Sequence, residues 1–460
     1  MNILKEIKEA PRDIRLLWAS VFLRLLAYGL TNQVLTLFLN GINMKEDKIG
    51  WFMSLTLIGD VLCSYLLTWY ADSWGRRKVL IYGSIMMFLS GIVFALNENF
   101  HILLLFAIFG VISPSSDEVG PFKSIEESMI AHLSPNHKRP EVYAMHALIG
   151  TVGSALGAIM SGGFIDLLQY FHLAENDLQC YKYIFLLYSF FAFWKIIIMI
   201  SLSEKTELDS HYHEPLDETS EDNNLMRQEA MVNDEMAPLL EESHLRHHEE
   251  TDHSATHNDR LAPETVHILM RLLVIFMIDS LGSGFMTSSW MVYYYKRIFK
   301  ISSFALGALF FCTQFVMASS TIPSTIIARM FGPVRATLMV QVPSAIFSIL
   351  IPFAQNHLWL SILLLNFHFG TTAMDVTPRQ ILLTNLIKPK DLTRVMGIVN
   401  IGKTFARCIG PIFTGMLAKE GYLWLCYIFS GSLIIVADSI LACSFLHVDD
   451  IIMKQINNRH

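Results

Sequence analysis

Charge is scarce in this sequence. Only 16% of its 460 residues are Asp, Glu, Lys or Arg, while 53% are hydrophobic. An ordinary soluble domain carries about 25% charged residues, so a soluble enzyme of this composition would have more apolar side chains than its cores could bury. Cysteine is also sparse and unpatterned. The six residues at 63, 180, 312, 408, 426 and 443 form no CxxC pair and no finger spacing, which excludes a disulfide scaffold or a zinc module. There is no Gly-x-x-x-x-Gly-Lys-Ser/Thr loop and no His-Glu-x-x-His string. Energy from bound ATP and zinc-peptidase chemistry are therefore not expected, and no cofactor or metal site is implied. The first residues, MNILKEIKEAPRDIR, mix both charges and precede an apolar run longer than a signal peptide's core, so the first span is expected to stay in the protein.

Long apolar runs, by contrast, are abundant. A helix needs about 20 apolar residues to cross a bilayer. Twelve segments qualify as candidates: 15–39, 48–70, 79–97, 102–133, 140–168, 181–202, 265–295, 302–328, 335–355, 358–387, 394–418 and 422–446. They predict an all-α membrane protein with six spans on either side of an acidic segment. Residues 203–263 hold 17 Asp/Glu against 4 Lys/Arg, a net charge of −13, so the −7 of the whole chain conceals a body of +6. The expected organisation is a six-helix bundle over 1–202, a disordered His-rich linker over 203–263 and a second bundle over 264–460. Lys and Arg in the flanks set the orientation. One side carries 14 of them, among them Arg76, Arg77, Lys78, Lys138 and Arg139, and the other carries 7. The richer side is the cytosolic one, so both termini and the linker are expected in the cytosol.

The two halves superimpose at an offset of 257 residues. Gly50 falls on Gly307, Ala71 on Ala328, Gly75 on Gly332 and Pro121 on Pro378, with Glu118 on Asp375. These identities are few, and their weight lies in their placement at the same span ends, the same loop and the same Pro-broken site of spans four and ten. Between spans two and three stands the string ADSWGRRK, with Asp72, Gly75, Arg76 and Arg77. It resembles the 2–3 loop signature of the major facilitator superfamily, G-x-x-x-D-R-x-G-R-[KR], with Thr68 in place of its first Gly and Ser73 in place of its first Arg. Span five reads Gly153-x-x-x-Gly157-Ala158-x-x-Ser161-Gly162, similar to that family's antiporter motif but with Ala for Pro. The resemblance implies a secondary transporter of twelve helices in two pseudo-repeats. It also implies that the 2–3 loop latches the halves in the outward-open state, and that helices one, four, seven and ten line the cavity.

Ionisable residues inside a membrane span are costly and usually functional or paired. Arg24 lies in span one, Asp117 and Glu118 in span four, Asp279 in span seven, and Asp375 and Arg379 one turn apart in span ten. These six are the candidates for substrate binding or proton coupling, because burial away from water favours the protonated form of a carboxylate. The alternative is a set of structural ion pairs, Arg24 with Asp117 and Asp375 with Arg379. Asp60 and Lys403 lie at matching depths in spans two and eleven, a candidate pair between the halves, with Arg407 as the competing partner. In the linker, Glu235, Leu239 and Leu240 resemble an acidic dileucine sorting signal, E-x-x-x-L-L, which points to a vacuolar or lysosomal membrane; the plasma membrane is the alternative. The seven linker histidines could bind divalent metal.

The function expected from these features is secondary active transport of a small solute by alternating access, coupled to protons. A divalent-cation carrier of the same fold and a non-transporting membrane sensor are the alternatives. Expected partners are the small-molecule or ion substrate, membrane lipid and a sorting adaptor at the linker. No nucleic acid is expected, and the chain is expected to act as a monomer.

Overall fold

The computed structural model describes residues 10–110, 112–114, 121–134, 139–207, 263–387 and 389–457. Most of the linker, with Glu235, Leu239 and Leu240, lies outside the described residues, as do Asp117 and Glu118. The described chain forms twelve successive helical crossings, six before the linker and six after it. In the first half these are α1 (Arg12–Asn32, then Leu35–Gly41), α2 (Glu46–Trp74), α3 (Arg76–Leu96), α4 (Phe100–Phe109, then Pro121–Leu133), α5 (Arg139–Tyr170) and α6 (Asp177–Ile200). The second half has α7 (Pro263–Phe285, then Ser288–Phe299), α8 (Ser303–Phe331), α9 (Pro333–Leu350), α10 (Leu358–Ala373, then Val376–Leu386), α11 (Pro389–Lys419) and α12 (Leu423–Asn457).

Among the described residues, nine helices are long and apolar enough to cross a membrane. The three crossings missing from that set have physical reasons. The fourth and tenth are each divided into shorter helices, and α11 carries charge along its length, from Lys390 to Lys419. Interruptions fall in α1, α4, α7 and α10, the same position in every group of three. In α4 and α10 a proline lies in the first turn of the second segment (Pro121 and Pro378), where its missing N–H costs no helical bond.

Large apolar side chains are exposed around the bundle, including Phe315, Phe353 and Trp359. In water such a surface would be costly; in hydrocarbon it is the expected one. Inside, each half has its own aromatic packing: Phe38, Phe94 and Phe185 in the first half, and Tyr294, Tyr295 and Tyr427 in the second.

The helix ends define two faces. The face that bears the start of α1 and the end of α6 is termed the near face; there the Asp13 carboxylate accepts from Ser203. The halves meet along α2 with α11 and α5 with α8. Among the described residues, the polar contacts between them lie at mid-depth or toward the far face. The Tyr293 hydroxyl donates to Glu46 (3.0 Å), Arg297 pairs with Glu46 (2.9 Å) and Lys419 pairs with Asp47 (3.2 Å). Deeper, the Ser289 hydroxyl donates to Asn32 (2.7 Å) and the Thr36 hydroxyl to the Ser289 carbonyl (3.0 Å). The far face is thus sealed across the two halves.

Candidate functional site

The second half holds a charge cluster built by α7, α9 and α10. Arg379 offers its two terminal nitrogens to Asp279, at 2.6 and 3.0 Å, the parallel two-bond geometry that a planar guanidinium favours. Its Nε edge lies against Asp375, one helical turn earlier. The Gln341 amide donates to the same oxygen of Asp375 at 2.9 Å. All four residues are buried. Among the described residues, Asp375 Oδ1 and Gln341 Oε1 make no hydrogen bond within geometric limits. The Thr337 hydroxyl lies against the Asp375 carboxylate, close enough to favour its charge.

This cluster forms part of the wall of a cavity of about 390 Å³ that also takes in Lys403, Arg407 and His368. The Phe276 ring sits between cations, 5.2 Å from the Arg379 guanidinium and 5.9 Å from the Lys403 ammonium. The far end of the cavity is lined by Thr287, Ser288 and Met291, at and just beyond the break in α7. Ser289, in the same turn, is the residue bonded to Asn32 of the other half. The cavity therefore abuts the seal.

A second buried cluster occupies the first half. Glu126, fully buried, accepts from the Ser20 hydroxyl (2.8 Å) and from Arg24 (2.9 Å). Lys195 and His146 each come to 3.8 Å of its oxygens, and the Lys195 ammonium lies 3.5 Å from the centre of the Phe122 ring. The repeats thus carry opposite signs at their core: a cation on α1 facing a carboxylate on α4, and a carboxylate on α7 facing a cation on α10.

Several expected contacts take another form. Arg24 pairs with Glu126, a residue that was not singled out from the sequence; its expected partner Asp117 lies outside the described residues. Asp375 and Arg379 do meet, but Asp279 shares the guanidinium. Asp60 and Lys403 do not pair. Asp60 is 2% exposed, with no hydrogen-bond partner for either oxygen among the described residues, while Lys403 turns to the cavity of its own half. Lys195 and Glu126 were missed for a reason of position. Both lie within about two turns of a span end, where a charged residue ordinarily reaches the interface.

At the 2–3 loop the side chain of Asp72 lies outside the described residues. Among the described residues, this loop is met by Glu207, at the start of the acidic linker. Its carboxylate accepts from the backbone N–H groups of Arg76 (2.7 Å) and Arg77 (3.0 Å) at the start of α3. A carboxylate at a helix N-terminus satisfies otherwise orphaned donors and the helix dipole. The second half repeats the device: Asp449 of α12 accepts from Val334 (2.9 Å) and Arg335 (2.7 Å) at the start of α9.

Comparison with known proteins agrees with this architecture. The family model of the Major Facilitator Superfamily matches residues 17–278 and again 272–458. The chain belongs to that superfamily, a family of transporters rather than enzymes. It is 69% identical over 459 residues to the uncharacterized membrane protein YJR124C of Saccharomyces cerevisiae, covering 100% of this chain and 99% of that one. A stretch of 154 residues, 34% of this chain and 38% of the relative, is 25% identical to the quinolone resistance protein NorA of Staphylococcus aureus. Among solved structures, a D-xylose-proton symporter aligns with a TM-score of 0.64 at 15% identity, over 93% of this chain and 95% of that one. A peptide transporter aligns with a TM-score of 0.67 at 13% identity, over 98% and 99%. At such identities the likeness concerns the fold alone.

Proposed function

We propose that this transporter moves a small solute in exchange or together with protons, and that the cavity beside Asp279, Asp375 and Arg379 is its solute site. The observation that carries this reading is the cluster itself. Two carboxylates share one guanidinium in the wall of a cavity, and among the described residues acceptors without a geometric hydrogen bond remain next to it. A structural ion pair needs one carboxylate and no cavity. The excess carboxylate supplies a place for a proton, and the seal beyond the cavity supplies one end of an alternating-access cycle.

The test separates coupling from folding. Asp375→Asn removes a charge and keeps shape. We expect it to stop pH-driven accumulation in proteoliposomes while counterflow of solute persists. Asp279→Asn leaves Arg379 with half its pairing and should lower protein level as well as transport, by about 3–5 kcal/mol of stability for a fully buried pair. Wild-type pH dependence in Asp375→Asn would end the coupling assignment. The cation-carrier alternative is less well supported, because Asp279 and Asp375 already engage Arg379 and a positive group stands where a metal would bind.

For location, we propose the vacuolar or lysosomal membrane, on the strength of Glu235, Leu239 and Leu240. Replacing Leu239 and Leu240 with Ala should move a fluorescently tagged protein toward the cell surface; an unchanged distribution would leave the string without a sorting role.

A further inference from the structure

The charges around the cavity define what it accepts. Among the described residues, three carboxylates are gathered there: Asp279 and Asp375 in the wall, and Asp438 of α12 within Coulomb reach of Arg379. Three cations oppose them: Arg379, Lys403 and Arg407. The charges are not evenly mixed. Arg379 is engaged by both Asp279 and Asp375, which leaves the wall formed by α7, α9 and α10 with two carboxylates to one cation and, among the described residues, with the acceptors Asp375 Oδ1 and Gln341 Oε1 lacking a geometric hydrogen bond. On α11, Lys403 has no ion-pair partner within direct contact among the described residues; its ammonium lies 5.9 Å from the Phe276 ring and within Coulomb reach of Asp279, Asp375 and Arg379. One wall therefore asks for hydrogen-bond donors with positive charge, and the other asks for an oxyanion. Phe276, Met286, Met317 and Phe369 add apolar surface to the same cavity, of the adaptable kind that methionine gives.

We propose that the solute is a small zwitterion with an apolar body, an amino-acid-like molecule. Its ammonium is received at Asp375 and Gln341 and its carboxylate at Lys403. A volume of about 390 Å³ suits a molecule of that size and falls at the lower end of ligand cavities. Electrostatic complementarity at both ends gives selectivity against molecules that carry only one of the two charges. The inference rests on the cavity being the solute site.

The experiment uses the purified full chain, first in detergent and then in proteoliposomes. The probes are leucine and methionine; 3-methylbutylamine, which lacks the carboxylate; 4-methylpentanoate, which lacks the amine; glucose; and zinc ion. Thermal stabilisation gives binding, and counterflow gives transport. We expect leucine or methionine to bind, and each single-charge analogue to need about tenfold or more concentration for the same effect, the loss of one charge-assisted contact. Lys403→Gln should remove the difference between leucine and 3-methylbutylamine, and Lys403→Arg should restore it. Gln341→Leu should narrow the difference between leucine and 4-methylpentanoate. Tight binding of either analogue, of glucose or of zinc, or binding of no probe, would overturn the zwitterion assignment. If one of those other solutes is moved and the Lys403 and Gln341 variants impair its movement, the cavity remains the solute site and only the substrate class falls. If leucine is moved equally well by wild type and by both variants, the cavity itself is the wrong site.

Discussion

Glu126 has no exposure to solvent and four polar neighbours: Ser20, Arg24, His146 and Lys195. Two of them, Arg24 and Lys195, are buried cations paired with this carboxylate. Removing one member of a buried pair leaves an uncompensated charge and costs about 3–5 kcal/mol, far more than the pair contributes relative to well-packed apolar residues. Glu126→Gln should therefore lower both protein level and melting temperature in detergent, and the double change Glu126→Leu with Arg24→Met should recover part of the loss. A melting temperature equal to wild type in the single variant would remove the cluster from the account of stability. The same contrast explains what the sequence could reveal at this scale. Asp279, Asp375 and Arg379 stood out because they interrupt long apolar runs near mid-span. Glu126 was obscured by its neighbour Glu127 and the nearby end of its helix, and Lys195 by a place five residues from the end of α6. Hydropathy reports depth along one helix; it does not report which face meets another helix.

Among the elements, the paired starts of α3 and α9 show a repeat that has kept a device while changing its residues. Gly75 and Gly332 have φ of +97° and +86° with extended ψ, a region essentially reserved for glycine. A Cβ on Gly332 would lie 2.7 Å from Asp449 Cγ, and one on Gly75 3.0 Å from Glu207 Oε1. Each glycine thus turns the chain and clears room for the carboxylate that caps the next helix. Gly332→Ala combines backbone strain of about 1–3 kcal/mol with displacement of that cap. It should lower the melting temperature more than Ala at an exposed helical position such as Ser319. Equal values would show that the turn tolerates a side chain. The offset of 257 residues located both glycines, because their place between spans is fixed by topology. It could not find Glu207, which approaches from the chain just beyond α6, or Asp449, which approaches from within α12. The breaks in α4 and α10 were legible through Pro121 and Pro378. Those in α1 and α7 were not, since neither Gln33–Val34 nor Met286–Thr287 contains a residue that forbids a helix.

The state of the whole molecule is set by how the two halves touch at the far face, and two kinds of contact compete for that role. The ion pairs Glu46–Arg297 and Asp47–Lys419 are partly exposed. Such pairs are worth about 0–1 kcal/mol each, so losing both shifts a two-state equilibrium by at most roughly 30-fold. The close crossing of α2 and α11 is a different matter. A Cβ on Gly50 would stand 2.4 Å from the Pro411 carbonyl oxygen and 3.0 Å from Gly415 Cα. These are backbone atoms, which cannot rotate away, and packed interfaces respond to such overlap by separating rather than by compressing. Gly50→Leu should therefore hold the far face open, whereas Glu46→Gln with Asp47→Asn should open it only in part. Ser288, half-buried in the cavity wall behind the seal, reports the difference when changed to Cys in a background without the exposed Cys312 and Cys443. In sealed proteoliposomes a membrane-impermeant maleimide applied from the far side should leave Ser288→Cys unlabelled alone, label it slowly with the paired charge changes and label it fast with Gly50→Leu. If Gly50→Leu stays unlabelled from that side, the glycine crossing does not set the seal, and closure would have to be assigned to the Asn32–Ser289 contact deeper between the halves.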